Sequence, residues 1–109
     1  MTTTLRGLGT ALVTPFLPDG TVDVEALRKF AAWQLEEGAD FLVPCGSTGE
    51  AQTLSAEERQ LVVRTVVEVA GGRVPVMAGA TSNDTREAVA EARRLGALGV
   101  TWLLSATPY

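Results

Sequence analysis

The sequence predicts an α/β fold with parallel strands, and three observations carry that prediction. Short apolar runs alternate with longer stretches whose apolar residues fall at helical spacing. The unit recurs at about 30 residues, the size of a strand–helix–strand crossover. Capping and turn residues stand at each changeover.

The first strand is read over residues 8–13, a short apolar run closed by Pro15 and followed by the turn residues Pro18-Asp19-Gly20. Asp23 can cap a helix over about 24–37. Its apolar face is Val24, Leu27, Phe30, Ala31 and Leu35, with Arg28, Lys29 and Glu36 opposite and Gly38 ending it. Residues 41–45 form a second strand, apolar throughout as a strand covered on both faces should be. After the polar loop Gly46-Ser47-Thr48-Gly49-Glu50, Ser55 and Glu58 make a capping box. The helix it opens runs to about Ala70, with Leu61, Val62, Val66 and Val69 inward and Gly71-Gly72 stopping it. Residues 74–80 form strand three, and Thr81-Ser82-Asn83-Asp84 supplies caps for the next helix. That helix has the stripe Ala88, Val89, Ala92 and Leu95, broken by Gly96 and Gly99. Strand four covers residues 100–104. Four parallel strands with right-handed crossovers suit either a doubly wound sheet or part of a closed barrel, and periodicity does not choose between them. In both, ligands bind beyond the C-terminal ends of the strands, where these polar loops fall.

Composition narrows the chemistry. The 109 residues are 46% hydrophobic and 20% charged, a globular balance. A net charge of −4 argues against nucleic acid and anionic membrane surfaces, which need clustered Lys and Arg. No apolar run spans a bilayer, and the N-terminal residues lack a secretory stretch. The absence of histidine and a single cysteine exclude a Ser-His-Asp or Cys-His mechanism within the segment and argue against zinc. One unpaired cysteine fits a reducing, cytoplasmic setting.

The best candidate for chemistry is the 46–50 loop. Its glycines let backbone N–H groups approach a ligand, and with the Ser47 and Thr48 hydroxyls they suit a small anion such as a carboxylate. From residue types alone, an ordinary turn is the simpler reading. Glu50 is better placed to accept N–H bonds and hold this loop than to act as a base. Cys45 reads as a small core residue and Lys29 as a solvated surface lysine. Tyr109, the only phenol, is either a pocket or proton-relay residue at the ligand end of strand four or a packing aromatic.

Four motifs, in order, resemble the dihydrodipicolinate synthase and N-acetylneuraminate lyase family of class I pyruvate aldolases. They are Gly9-Thr10-Ala11-Leu12-Val13-Thr14-Pro15-Phe16, then Gly46-Ser47-Thr48-Gly49-Glu50 with Leu54-Ser55, then Arg73-Val74-Pro75-Val76-Met77-Ala78-Gly79, then Thr107-Pro108-Tyr109. The resemblance covers nearly the whole chain. It implies a (β/α)8 barrel, with residues 1–109 as a single, incomplete domain supplying about the first four βα units. A complete barrel takes ~250 residues.

The resemblance implies a lyase in which a barrel lysine forms an imine with pyruvate, and the derived enamine attacks an aldehyde. No metal and no cofactor beyond that lysine is implied, and the lysine lies beyond Tyr109 in the family. The segment alone is therefore expected to be inactive. In the synthase branch the aldehyde is aspartate semialdehyde and the product feeds lysine biosynthesis. The alternatives are an N-acetylneuraminate or keto-deoxy-sugar lyase and, in another class, a non-catalytic anion-binding or engineered half-barrel scaffold. By position, Thr48 would hold the pyruvate carboxylate with its hydroxyl and N–H, Ser47 would serve in the proton relay, and Ser47 and Gly46 would also line the substrate site. Ser47 keeps the relay's hydroxyl where the synthase branch often has threonine. Tyr109 matches the first tyrosine of a tandem pair. Asn83, Glu87 and Tyr109 match a lysine-feedback pocket, from whose polar residues Ala51, Ala56 and Arg59 depart. A homo-oligomer, dimer or tetramer, is implied.

Overall fold

In the computed structural model, which describes residues 4–109, strands and helices alternate in the expected order. Residues 1–3, part of the N-terminus read above for secretory character, lie outside the described residues. The elements are β1 (Gly9–Ala11), α1 (Val24–Glu36), β2 (Phe41–Val43), α2 (Ala56–Ala70), β3 (Met77–Gly79), α3 (Thr85–Ala97) and β4 (Trp102–Leu104). A single 3-10 turn, Ala51–Thr53, precedes α2.

The helices start where their caps say they should. The Asp23 carboxylate accepts the Ala26 N–H at 3.0 Å. Ser55 and Glu58 form the reciprocal box, at 3.1 and 2.8 Å. Asp84 accepts the Arg86 N–H at 2.9 Å. Each cap satisfies donors that the helix itself leaves free. Gly71 ends α2 in the left-handed conformation (φ 57°), which a residue without a Cβ adopts at little cost.

Strand order resolves the choice that periodicity left open. β1 pairs with β2 in parallel, Gly9 opposite Phe41 and Ala11 opposite Val43. β3 pairs with β4 in parallel, Met77 opposite Trp102 and Gly79 opposite Leu104. A parallel bridge between Leu42 and Val76 joins the two ladders, and the Gly79 N–H donates to the Pro44 carbonyl at 3.0 Å. The order is therefore β1-β2-β3-β4. A doubly wound sheet reverses direction at a switch point, and this array does not. Right-handed crossovers that always step the same way leave their helices on one side, which is the arc of a barrel.

The core lies between strands and helices. Leu12, Leu42, Val76 and Ala78 meet Leu27 and Ala31 of α1, Val62, Val63 and Val66 of α2, and Leu95 of α3, all buried. Full burial of each large aliphatic side chain contributes about 1.5–3 kcal/mol.

Several expectations are corrected. All four strands are shorter than the apolar runs that announced them, because a strand lasts only while its neighbour pairs with it. The 41–45 strand ends at Val43, and Cys45 takes φ 58° to open the loop. In α2, Leu61 and Val69 do pack against the core, half-buried, and Val63 and Thr65, which the stripe left out, are fully buried beside them. In α3 the buried residues are Glu91 and Leu95, and Val89 is 45% exposed. Gly96 lies inside α3; the turn comes at Gly99, with φ 97°. Among the described residues, no helix is long and apolar enough to cross a membrane.

Candidate functional site

The 46–50 loop leaves the C-terminal end of β2 and folds on itself. The Gly49 N–H donates to the Gly46 carbonyl at 3.1 Å, and the Glu50 N–H to the Ser47 carbonyl at 3.0 Å. These turns leave the Ser47 and Thr48 side chains exposed at the tip and bury Gly49 beneath them. Gly49 must be glycine here: a Cβ would stand 2.9 Å from the Leu12 carbonyl oxygen. Gly79 of β3 is packed more tightly still, with the Cys45 carbonyl oxygen 1.8 Å from where its Cβ would be.

Glu50 does not hold the loop with its carboxylate, as its neighbours in sequence implied. It sits at φ 58° before the 3-10 turn and makes no side-chain cap. The anchor is Thr14, whose hydroxyl donates to the Gly49 carbonyl at 2.7 Å in a buried contact. Nothing local in the sequence pointed to it, because the partners are 35 residues apart.

A cleft of about 400 Å³ opens beside the loop, on the helix side of the strands. Gly46 and Ser47 form one wall, with Arg59 of α2, Glu87, Glu91 and Arg94 of α3, and Tyr109 among the others. Tyr109, 91% exposed, is held at both ends. Its N–H donates to the Asn83 side-chain carbonyl at 2.9 Å, and the Gln52 amide donates to its hydroxyl at 3.1 Å. Asn83 thus secures the terminal segment, and Asp84 does the helix capping. Thr81 helps, accepting the Ala106 N–H at 3.0 Å. The structure therefore gathers Gly46, Ser47, Glu87 and Tyr109 around one cleft, with Asn83 tied to it. Thr48 shares the loop but is not part of the cleft wall.

The base of the cleft carries an ion-pair cluster that the apolar stripe reading missed. Arg94 donates twice to one Glu91 carboxylate oxygen, at 2.9 and 2.7 Å, and Arg59 Nε stands 3.5 Å from the other. Glu91 is 6% exposed, and so much burial of a carboxylate needs this pairing. Arg59 also donates to the Leu54 carbonyl at 2.8 Å, so it links the end of the loop region to α3. Only the i,i+3 spacing of Glu91 and Arg94 was visible in advance. Cys45 lies against this cluster. Burial pushes its thiol up to about 12, with Arg59 opposing and Glu91 adding, so it is no nucleophile.

The sequence profile of the Dihydrodipicolinate synthetase family matches residues 4–109. The chain belongs to that family. Dihydrodipicolinate synthetase relatives include the 4-hydroxy-tetrahydrodipicolinate synthases of Koribacter versatilis, 58% identical over 96% of this chain, and of Maridesulfovibrio salexigens, 52% identical over 97%. The chain spans 35% and 36% of their lengths, respectively. Solved structures agree. A chloride-inhibited dihydrodipicolinate synthase from Acinetobacter baumannii, in complex with pyruvate, superposes with a TM-score of 0.95 at 42% identity, over 97% of this chain and 36% of that one. The synthase from Aquifex aeolicus gives 0.92 at 38% identity, over 96% and 36%. The family is one of lyases, and the arc β1-β2-β3-β4 is the first part of its (β/α)8 barrel. It comprises three βα units and the strand of the fourth.

Proposed function

We propose that this chain is the pyruvate-binding part of a 4-hydroxy-tetrahydrodipicolinate synthase, which condenses pyruvate with aspartate semialdehyde through a lysine imine. The observation that carries the reading is the 46–50 loop. Two exposed hydroxyls are held on a rigid double turn at the ligand end of a barrel strand. The names of the relatives support the synthase branch over the sugar-acid lyases. In this reading residues 1–109 are one incomplete domain, Thr48 takes the pyruvate carboxylate with its hydroxyl and N–H, and Ser47, which with Gly46 also lines the substrate site, passes protons. Tyr109 lines the neighbouring cleft. The imine-forming lysine comes from sequence outside this segment, since Lys29 is exposed and paired with Glu25 at 3.1 Å on α1. The segment alone is then inactive, and the working enzyme is a cytoplasmic homo-oligomer. Asn83, Glu87 and Tyr109 are proposed to receive a regulatory amino acid, with the paired Arg59 altering that pocket.

The test is intact mass after incubation with pyruvate and borohydride, which reduces an imine to a stable amine. It is run on the 109-residue chain and on the longest polypeptide from the same source that carries it. A pyruvate adduct on the longer form alone, on a lysine other than Lys29, is the expected result. An adduct at Lys29, or none on a folded longer form, refutes the imine reading.

A further inference from the structure

The geometry points to Thr14 as the residue that positions the pyruvate loop. The inference rests on the reading of Thr48 as the carboxylate ligand with Ser47 beside it in the proton relay, and it adds a residue that belongs to another element. The loop's other hydrogen bonds are made within its own stretch of chain. Gly49 and Ala51 donate to the Gly46 carbonyl, Glu50 to the Ser47 carbonyl, and Thr53 to the Glu50 carbonyl. These fix the shape of the turn but not its place. Among the described residues, one hydrogen bond ties residues 46–50 to a separate element, and it is the Thr14 hydroxyl donating to the Gly49 carbonyl at 2.7 Å.

The contact is built to be rigid. Thr14 is 5% exposed, just beyond the end of β1. Gly49 lies against the same segment, its Cβ direction blocked by the Leu12 carbonyl at 2.9 Å and by the Thr14 hydroxyl at 3.3 Å. The loop is therefore pulled onto β1 by one bond and stopped by backbone contact. Thr48 is bonded directly to Gly49, so its hydroxyl inherits that position. Catalytic geometry is sensitive to displacements of about 1 Å. A threonine suits the task because its hydroxyl donates and its methyl fills a buried site, while valine keeps the shape and loses the donor.

The experiment compares the longest polypeptide from the same source that carries this chain with its Thr14→Val and Thr14→Ser variants and, as a control, Thr65→Val. Thr65, itself buried, makes a hydroxyl bond of the same length, 2.7 Å to the Leu61 carbonyl, within α2. Each protein is isotope-labelled and titrated with sodium pyruvate, and the amide signals of residues 46–50 are followed. Wild type is expected to show saturable shifts at Ser47, Thr48 and Gly49. Thr14→Val is expected to displace these amides before pyruvate is added and to weaken pyruvate binding about tenfold, the consequence of stranding one buried carbonyl. Thr14→Ser is expected to restore both, and Thr65→Val to lower the melting temperature without changing pyruvate affinity. Wild-type affinity and unmoved loop amides in Thr14→Val overturn the inference, as does an equal loss of affinity in Thr65→Val. If wild-type amides ignore pyruvate, the carboxylate reading itself fails and the inference falls with it. That outcome is distinguishable because it appears before any substitution is made.

Discussion

Cys45 shows how burial decides what a side chain can do. The residue is 2% exposed at the end of β2, and its thiol is pushed from near 9.0 up to about 12, chiefly by burial. The neutral form is thus retained in the folded chain under conditions where an unfolded chain would ionise. Above about pH 9 the unfolded state loses the proton and the folded state keeps it, so stability falls with rising pH until the folded thiol ionises as well. The slope is at most about 1.4 kcal/mol per pH unit. We expect a thiol reagent at pH 8 to leave the native chain unmodified and to label it in denaturant. We also expect Cys45→Ala to flatten the decline in urea-measured stability between pH 9 and 11 relative to wild type. Rapid labelling of the native chain would show that the thiol is not buried. The same burial argument applies to Glu91, which stays inside because two guanidinium groups meet it.

The helices were legible because their signals are local. Asp23, Ser55 with Glu58, and Asp84 each cap a helix within three residues of their own position, and no distant partner is needed. We therefore expect Ser55→Ala to cost about 1 kcal/mol, read as a lower urea midpoint with an unchanged slope. No change in midpoint would mean that packing of α2 against the strands dominates its start. The strands were legible in existence but not in length. Their ends depend on pairing, and Cys45 leaves the β region to begin a turn that no apolar pattern encodes. The side that α3 buries was misread for a related reason. Counting only apolar residues put Val89 inward, whereas the buried position belongs to Glu91, whose partner Arg59 sits on another helix. For the site, hydroxyls between glycines after a strand marked the 46–50 loop, and the family motif marked the residues around Tyr109. The Thr14 anchor and the Arg59 link were illegible, because both join segments far apart in sequence.

In the molecule as a whole, spatial order and chain order coincide, so β1 and β4 are the outer strands of the arc. The edges carry marks of unfinished contact. The Thr10 hydroxyl on β1 and the Trp102 indole nitrogen on β4 are both buried without a hydrogen-bond partner. Leu103 and Leu104 are each 45% exposed, and Val13 is 50% exposed. Unpaired parallel edges with exposed aliphatic residues adhere to other strands. We expect the 109-residue chain, expressed alone, to sediment as dimers or larger species, and Leu103→Lys to shift it toward monomer. A wild-type chain that stays monomeric at high concentration would show that these edges are not adhesive.

The Thr14–Gly49 bond also bears on how the chain is made. A ribosome releases residue 14 well before residue 49, and each strand pairs with one that has already emerged. The loop's anchor is therefore waiting when the loop appears, and the packing of Gly79 on Cys45 and the pairing of Arg59 with Glu91 are added as β3 and α3 follow. The turn after β2 can be seated on the end of β1 before the third and fourth strands are made.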